Sequence, residues 1–314
     1  MRWLELAPGF ACNCRCVGCH SCSADPALQM SNPDVLRWLQ QGRRQGAAHL
    51  WLSGGEPTLR RDFLQTLRAA KHLGYQRIKV QSNGMLFAYE GFAQRAVLAG
   101  MTEVNLLLKS LDPALHDELN RTPGSHALLH AGLERLATLP VRLEGDILLT
   151  RRNYTEVPAL VAYYAAKGLR HFNIWLFSLS DQGQEDLSDL VPRMADAMPF
   201  LADGLAVARA HGATFCSLHT PPCTVPAHAR EMLFDVKGMQ LVVVNPDGRA
   251  FALEQSVMEL GVFAAACTTC AARPLCSGLR QDYLDVHGSA ELAPLHAGDF
   301  TEQELRGSAL ELPG

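Results

Sequence analysis

Short apolar runs alternate with amphipathic stretches over the first 180 residues of this chain, and their spacing is regular. Runs ending near residues 53, 81, 109, 150 and 177 follow one another at roughly 28 residues, with one longer unit. The strands read as Arg2–Ala7, His49–Leu52, Arg77–Gln81, Glu103–Leu108, Val141–Leu149 and Arg170–Phe177, with Thr214–Leu218 as a last one. Between them, Asn32-Pro33-Asp34 starts a helix with Val35, Leu36 and Leu39 as its apolar stripe. Asp62 opens another through Phe63, Leu67 and Ala70, closed by Gly74. Further helices are expected near 89–99, 127–138, 157–167 and 190–210. Strands alternating with helices at this interval form βαβ units on a parallel sheet, and six units fit a partial (β/α)6 barrel of α/β class.

Cysteines are the second constraint. Ten fall into two groups of five, at 12–22 and 216–276, with none between. A secreted disulfide framework is a shorter, loop-rich chain, so this clustering reads as metal ligation in a reducing compartment. Cys12, Cys16 and Cys19 stand at C-x3-C-x2-C spacing on a loop after the first strand. Three thiolates there can hold three irons of a cubane and leave the fourth iron open. Because Cys14 and Cys22 share the loop, a zinc site closed by four thiolates is the alternative.

Hydrophobic content of 48% with 19% charged residues suits a globular enzyme with a sizeable core. Net charge is −4 without a basic run, so neither nucleic acid nor an anionic membrane has an electrostatic footprint. No apolar run of about 18 residues and no signal peptide is present, and the expected location is cytoplasmic.

Every unusual motif in this part follows a strand: the cysteine loop, Gly54-Gly55-Glu56-Pro57, Ser82-Asn83-Gly84, Ser110-Leu111-Asp112 and Asn153. Each alone reads as a turn. Together they mark the face of a barrel where active sites are built. On these residues the chain resembles the radical S-adenosylmethionine (radical SAM) enzymes, over roughly residues 2–180. The resemblance implies a 4Fe–4S cluster on Cys12, Cys16 and Cys19 and S-adenosylmethionine held by Gly54, Gly55 and Glu56. It further implies that Ser82, Asn83, Ser110 and Asn153 lie near the ribose or the carboxylate. It implies reductive cleavage to a 5′-deoxyadenosyl radical, fed by a flavodoxin- or ferredoxin-type electron donor. The residue before the third family cysteine is usually aromatic and covers the adenine. Here it is Gly18, so Phe10 or His20 is expected in that role. Cys14 and Cys22 have no family role and read as unligated thiols.

Beyond Pro221-Pro222, the expected boundary between a barrel at 1–219 and an extension at 220–314, Asn245-Pro246-Asp247-Gly248 signals a β-hairpin. Cys267-x2-Cys270-x5-Cys276 follows, with Cys223 upstream. Four thiolates suffice for a closed 4Fe–4S cluster or a zinc site. The pattern resembles the twitch and SPASM extensions of radical SAM enzymes, small Cys-rich α+β modules, and implies one auxiliary 4Fe–4S cluster on Cys223, Cys267, Cys270 and Cys276. Cys216 is the alternate ligand or a buried thiol. His211, His219 and His228 read as surface or capping residues, and Asp282 and Tyr283 as packing. The last stretch, from about Leu292, is polar and weakly patterned.

The expected activity is hydrogen abstraction from a peptide or protein side chain. The alternatives are the same chemistry on a small metabolite, and an iron–sulfur or zinc protein without catalysis. Only 11 residues precede Cys12, which leaves leader recognition to the extension or to a separate leader-binding protein.

Overall fold

A computed structural model describes residues 1–19, 21, 24–179, 186–234, 236–256, 261–302 and 304. In chain order the strands are β1 (Trp3–Leu6), β2 (His49–Leu52), β3 (Arg77–Ser82), β4 (Glu103–Leu108), β5 (Arg142–Leu149), β6 (Leu169–Leu176), β7 (Thr214–Leu218), β8 (Leu241–Val244) and β9 (Ala250–Ala252). The α-helices are α1 (Asn32–Arg44), α2 (Phe63–His72), α3 (Phe92–Ala99), α4 (Pro113–Asn120), α5 (Ser125–Leu136), α6 (Val157–Ala166), α7 (Met194–Ala210) and α8 (Gln281–His287). The chain divides into two compact units. The first is Met1–Asp146, Lys167–Arg170 and Gln240–Leu253; the second is Ile147–Ala166, His171–Met239 and Glu254–Gly314.

In the first unit the strand order is β5-β4-β3-β2-β1-β8-β9. The β1–β2, β2–β3, β3–β4 and β1–β8 pairs are parallel, and β9 returns antiparallel on β8. The sheet is open, as a partial barrel requires. In β1, β2, β3 and β4 the even-numbered residues form one apolar face: Leu4, Leu6, Leu50, Leu52, Ile78 and Val80 are each at most 2% exposed. The odd-numbered residues make the opposite face and include Glu5, Lys79, Gln81 and Asn105. The longer sequence unit between β4 and β5 holds two helices, α4 and α5, where one had been expected. Asp112 caps α4 by accepting from the Ala114 N–H (3.0 Å), with Pro113 in the first turn.

The expected hairpin forms, and its first strand pairs with β1 in parallel register, Trp3 opposite Leu241 and Leu6 opposite Val244. It therefore belongs with the first unit. In the second unit β7, β6 and the end of β5 are neighbours, and α6 packs on α7. Leu292 and Leu295, in the stretch expected to be weakly patterned, are buried. No helix among the described residues is long and apolar enough to cross a membrane.

Candidate active site

The cysteine loop leaves β1 and is strapped on both flanks by backbone hydrogen bonds. On one side the Gly55 N–H donates to Gly9 C=O (2.9 Å) and the Glu56 N–H to Ala11 C=O (2.9 Å). On the other, the Arg15 N–H donates to Asn120 C=O (3.2 Å) and the Val17 N–H to Leu119 C=O (2.9 Å). The glycines are what permits the first contact. A Cβ on Gly55 would lie 2.3 Å from the Ala11 oxygen, and one on Gly54 would lie 2.5 Å from the Gly9 oxygen. Arg60 adds a clamp: its guanidinium donates to Pro8 C=O (3.0 Å) and Met30 C=O (3.2 Å) while paired with Asp62 (2.8 Å).

Within the loop, Cys12, Cys16 and Cys19 are part-exposed and Cys14 is buried. The Cys14 thiol is held strongly toward its protonated form, first by its hydrogen bond to Cys12, then by that to Cys16, then by burial. Cys16 shifts the other way because Cys14 hydrogen-bonds to it, with Lys109 adding positive charge. Cys16 Sγ also stands 3.1 Å from Asn120 Oδ1. The two shifts give Cys14 the character of a thiol and Cys16 that of a thiolate. Gly18 takes φ +71°, the left-handed region, which accounts for glycine where the family has an aromatic residue. His20 and Cys22 lie outside the described residues.

Glu56 is 3% exposed and binds its neighbours. Its Oε1 accepts from the Thr58 N–H (3.1 Å), Thr58 Oγ1 (2.5 Å) and Ser82 Oγ (2.9 Å), and its Oε2 from the Asn83 N–H (2.8 Å). Burial raises its pKa against those four donors. The carboxylate thus stitches the end of β2 to the end of β3, and Oε2 keeps a second acceptor site for a ligand ammonium. Asn83 Nδ2 donates to Asn13 Oδ1 (2.7 Å), which joins the β3 end to the cysteine loop. Ser110 Oγ accepts from the Asp112 N–H (3.0 Å), so it shapes the entry to α4. Gly54, Gly55, Glu56, Ser82, Asn83 and Ser110 all belong to the first unit with the loop. Asn153 belongs to the second, where its Oδ1 accepts from Thr150 N–H (2.7 Å) and Thr150 Oγ1 (2.9 Å).

Two features of this region had no counterpart in the sequence reading. One is the histidine group behind Asn120: His116 Nε2 lies 2.8 Å from Asn120 Nδ2, His126 is edge-on to His116, and His126 stacks on His130. Burial, then the charge of His126, lowers His116 to about 3 and His130 to about 4. The other is the charged inner face of the sheet. Lys79 Nζ donates to Glu144 Oε2 (2.5 Å) and lies 4.8 Å from the Trp51 ring centroid. Gln81 Nε2 donates to Asp146 Oδ2 (3.1 Å). Their signal was there: Arg77-x-Lys79-x-Gln81 and Arg142-x-Glu144-x-Asp146 place polar residues at period two in strands that a fully buried parallel sheet would make apolar throughout.

In the second unit, Cys223, Cys267, Cys270 and Cys276 line one pocket with Pro221, Phe263 and Leu279 among its walls. Burial, then the charges of Cys276, Cys270 and Cys267, pushes the Cys223 thiol up to about 11, and burial also raises Cys276. Backbone N–H groups point at these sulfurs: Leu295 to Cys270 (3.4 Å), Gly278 to Cys276 (3.3 Å), and Ala293 to Cys223. Soft sulfur donors with amide hydrogen bonds suit a group that stabilises thiolates. Among the described residues no three His, Cys, Asp or Glu side chains converge on a single metal-ion position. Cys216 lies buried in β7. Tyr283 is buried, its hydroxyl donating to Glu291 (2.6 Å) and accepting from the Met194 N–H (2.9 Å). Asp282 accepts from the Leu179 N–H (2.7 Å) and Ser178 Oγ (3.1 Å), so both act in packing.

Comparison with known proteins bears on the first unit most directly. The sequence profile of the Radical SAM superfamily matches residues 6–161. Over 172 residues the chain is 26% identical to a protein of Sulfurisphaera tokodaii described as "Probable GTP 3',8-cyclase", covering 54% of each. The chain spans about half the length of the curated relatives it matches. Among solved structures, Streptococcus suis SuiB bound to S-adenosylmethionine superposes with TM-score 0.68 at 15% identity, over 93% of this chain and 76% of SuiB. SuiB has also been solved with its precursor peptide SuiA. The protein anSMEcpe with bound AdoMet superposes with TM-score 0.65 at 16% identity, over 94% of this chain and 93% of the other. These structures share the fold. The profile match over residues 6–161, which contain the cysteine loop and Gly54-Gly55-Glu56, places the chain in the Radical SAM superfamily.

Proposed function

We propose that this chain cleaves S-adenosylmethionine reductively and uses the resulting radical to take a hydrogen atom from a peptide or protein side chain. The observation that carries the reading is the direct strapping of the cysteine loop to the Gly-Gly-Glu turn by the Gly55 and Glu56 amides. Cys12, Cys16 and Cys19 would hold a 4Fe–4S cluster, which would supply the one-electron reduction of bound S-adenosylmethionine. A flavodoxin- or ferredoxin-type protein is the electron source. Glu56, held in place by Ser82 Oγ and the Asn83 N–H, would accept from the methionine ammonium. Asn13 and Asn83 fix the loop against β3.

Peptide chemistry is supported by the likeness to SuiB, a protein solved with a precursor peptide. A second reading, chemistry on a small metabolite, is favoured by the curated relatives named for GTP cyclisation. We assign Cys223, Cys267, Cys270 and Cys276 to one auxiliary 4Fe–4S cluster in the C-terminal part of the chain, supported by their shared pocket and the amides aimed at their sulfurs.

Anaerobically reconstituted protein with reductant and S-adenosylmethionine is expected to release 5′-deoxyadenosine, and Cys16→Ala to abolish the release. Full activity in that variant would sink the ligand assignment. Iron analysis is expected to give about eight irons per chain, from two four-iron clusters. A value near four, with stoichiometric zinc, would replace the auxiliary cluster by a zinc site.

A further inference from the structure

Asn120, the last residue of α4, meets the cysteine loop with both its backbone and its side chain. Its carbonyl accepts from the Arg15 N–H (3.2 Å), and the Leu119 carbonyl before it accepts from the Val17 N–H (2.9 Å). These two bonds bracket Cys16, whose Sγ stands 3.1 Å from Asn120 Oδ1. Asn120 is 4% exposed, and the far end of its amide is held as firmly as the near end. Nδ2 lies 2.8 Å from His116 Nε2 and 3.1 Å from Ser125 Oγ. Ser125 opens α5, and its hydroxyl donates to Asp117 Oδ1 (2.8 Å). Residues of two helices thus wedge one amide between a loop sulfur and a ring nitrogen.

The two ends of a side-chain amide share a shape and differ in hydrogen-bonding character, so the neighbours decide which end faces which. With Oδ1 toward Cys16, the sulfur must have a proton to give. His116 must then accept at Nε2 and carry its own proton on Nδ1. His116 is 1% exposed, and its Nδ1 has no hydrogen-bond partner. Buried N–H groups are almost always paired, whereas buried acceptors are held to this less strictly. Burial lowers the His116 pKa to about 3, so the ring is neutral and has a single proton to place. Turning the amide over presents Nδ2 to the sulfur and Oδ1 to His116 Nε2, which then carries that proton and leaves Nδ1 bare. Ser125 can swing its hydroxyl to Oδ1 as well, since Asp117 Oδ1 keeps the His126 N–H (2.8 Å). A sulfur bonded to a metal has lost its proton and can only accept. Ligation of Cys16 and the bare Nδ1 of His116 therefore call for the same orientation.

We propose that Asn120 is a positioning residue for the radical-generating centre: its Nδ2 donates to the Cys16 sulfur when that sulfur is a ligand, and His116 Nε2–H holds the amide in that orientation. The proposal rests on the reading of Cys12, Cys16 and Cys19 as ligands of a 4Fe–4S cluster. A hydrogen bond to a ligand sulfur favours the state with more electron density on it, so this contact eases reduction of the cluster. Because the Asn120 carbonyl is tied to the loop at Arg15, the amide is set against the sulfur by the fold itself.

The test is a redox titration of the anaerobically reconstituted full chain, followed by the EPR signal that changes when S-adenosylmethionine is added. Wild type is compared with Asn120→Leu, which keeps the branching without a donor, and with Asn120→Asp, which keeps the shape and replaces the N–H by a carboxylate oxygen. Asn120→Leu is expected to shift the reduction equilibrium about tenfold toward the oxidised cluster, which is about 59 mV for one electron. Asn120→Asp is expected to shift it further in the same direction, since it adds negative charge beside the sulfur. Both variants should keep the wild-type iron content. Pulsed EPR on reduced protein with 15N in its asparagine side chains is expected to show a weak nitrogen coupling in wild type that Asn120→Leu lacks. A residue that only supports the loop leaves both readings unmoved. An unchanged potential in Asn120→Leu therefore overturns the proposal, as do identical pulsed spectra in the two proteins. If Asn120→Leu does not take up the cluster, Asn120→Asp decides, and a potential at or above that of wild type overturns it. Loss of iron from both variants also overturns it, because a residue that tunes the cluster leaves it in place. Wild-type iron content in Cys16→Ala would refute the ligand reading itself, and this proposal with it.

Discussion

Gly55 has no room for a side chain: a methyl group there would meet the Ala11 carbonyl at 2.3 Å and the Phe10 backbone at 2.6 Å. Neither neighbour is a flexible side chain, so Gly55→Ala must push the cysteine loop off the end of β2. The expected cost is about 1–3 kcal/mol from overpacking. Iron content after reconstitution should fall with it, and both are read by thermal melting and iron analysis. A variant with wild-type iron and stability would show that the loop tolerates another seat. This close approach was legible in the sequence only as a Gly-Gly pair, which most often means a turn. Glu56 was read as a residue for ligand ammonium, yet most of its acceptor capacity is spent inside the chain. Sequence names the residue types at a strand end. It does not say which of them bind each other, because that depends on the spacing between strands that only the folded sheet sets.

Among the elements, the strands were legible almost to the residue, since each is short and stopped by Gly, Pro, Asn or Ser. The helix α4 was not. It is one short element whose buried residues, His116, Leu119 and Asn120, include two polar ones and make no apolar stripe. Its contribution is large, because Leu119 and Asn120 hold one flank of the cysteine loop. The inner face of the sheet was missed for a related reason: attention to apolar periodicity passes over charges that alternate just as regularly. Lys79 and Glu144 are 4% and 0% exposed in their side chains and join β3 to β5. Lys79→Met is expected to destabilise the protein by about 3–5 kcal/mol, because it leaves Glu144 buried without its principal cation. Adding Glu144→Leu should recover much of that loss. Urea denaturation of the two variants measures both, and a Lys79→Met protein as stable as wild type would show that water, not Lys79, solvates Glu144.

At the scale of the whole molecule, the cysteines are divided between two compact units, three assigned to the radical-generating centre in the first and four to the pocket in the second. The destination of the hairpin was hidden from sequence, since its turn residues specify a hairpin and are silent on which strand accepts it. The pairing of β1 with β8 joins the first strand of the chain to a segment near residue 241. During synthesis the cysteine loop emerges well before β8, the strand that covers the flank of β1. Until then β1 offers an open hydrogen-bonding edge, the kind that recruits foreign strands. Closing so long a loop also places this step late in folding. Refolding followed by pulsed hydrogen exchange is expected to protect β2 and β3 before β1, and simultaneous protection would refute that order. In that interval the cysteine loop, which leaves β1, stands beside a sheet whose last partner strand has not yet arrived.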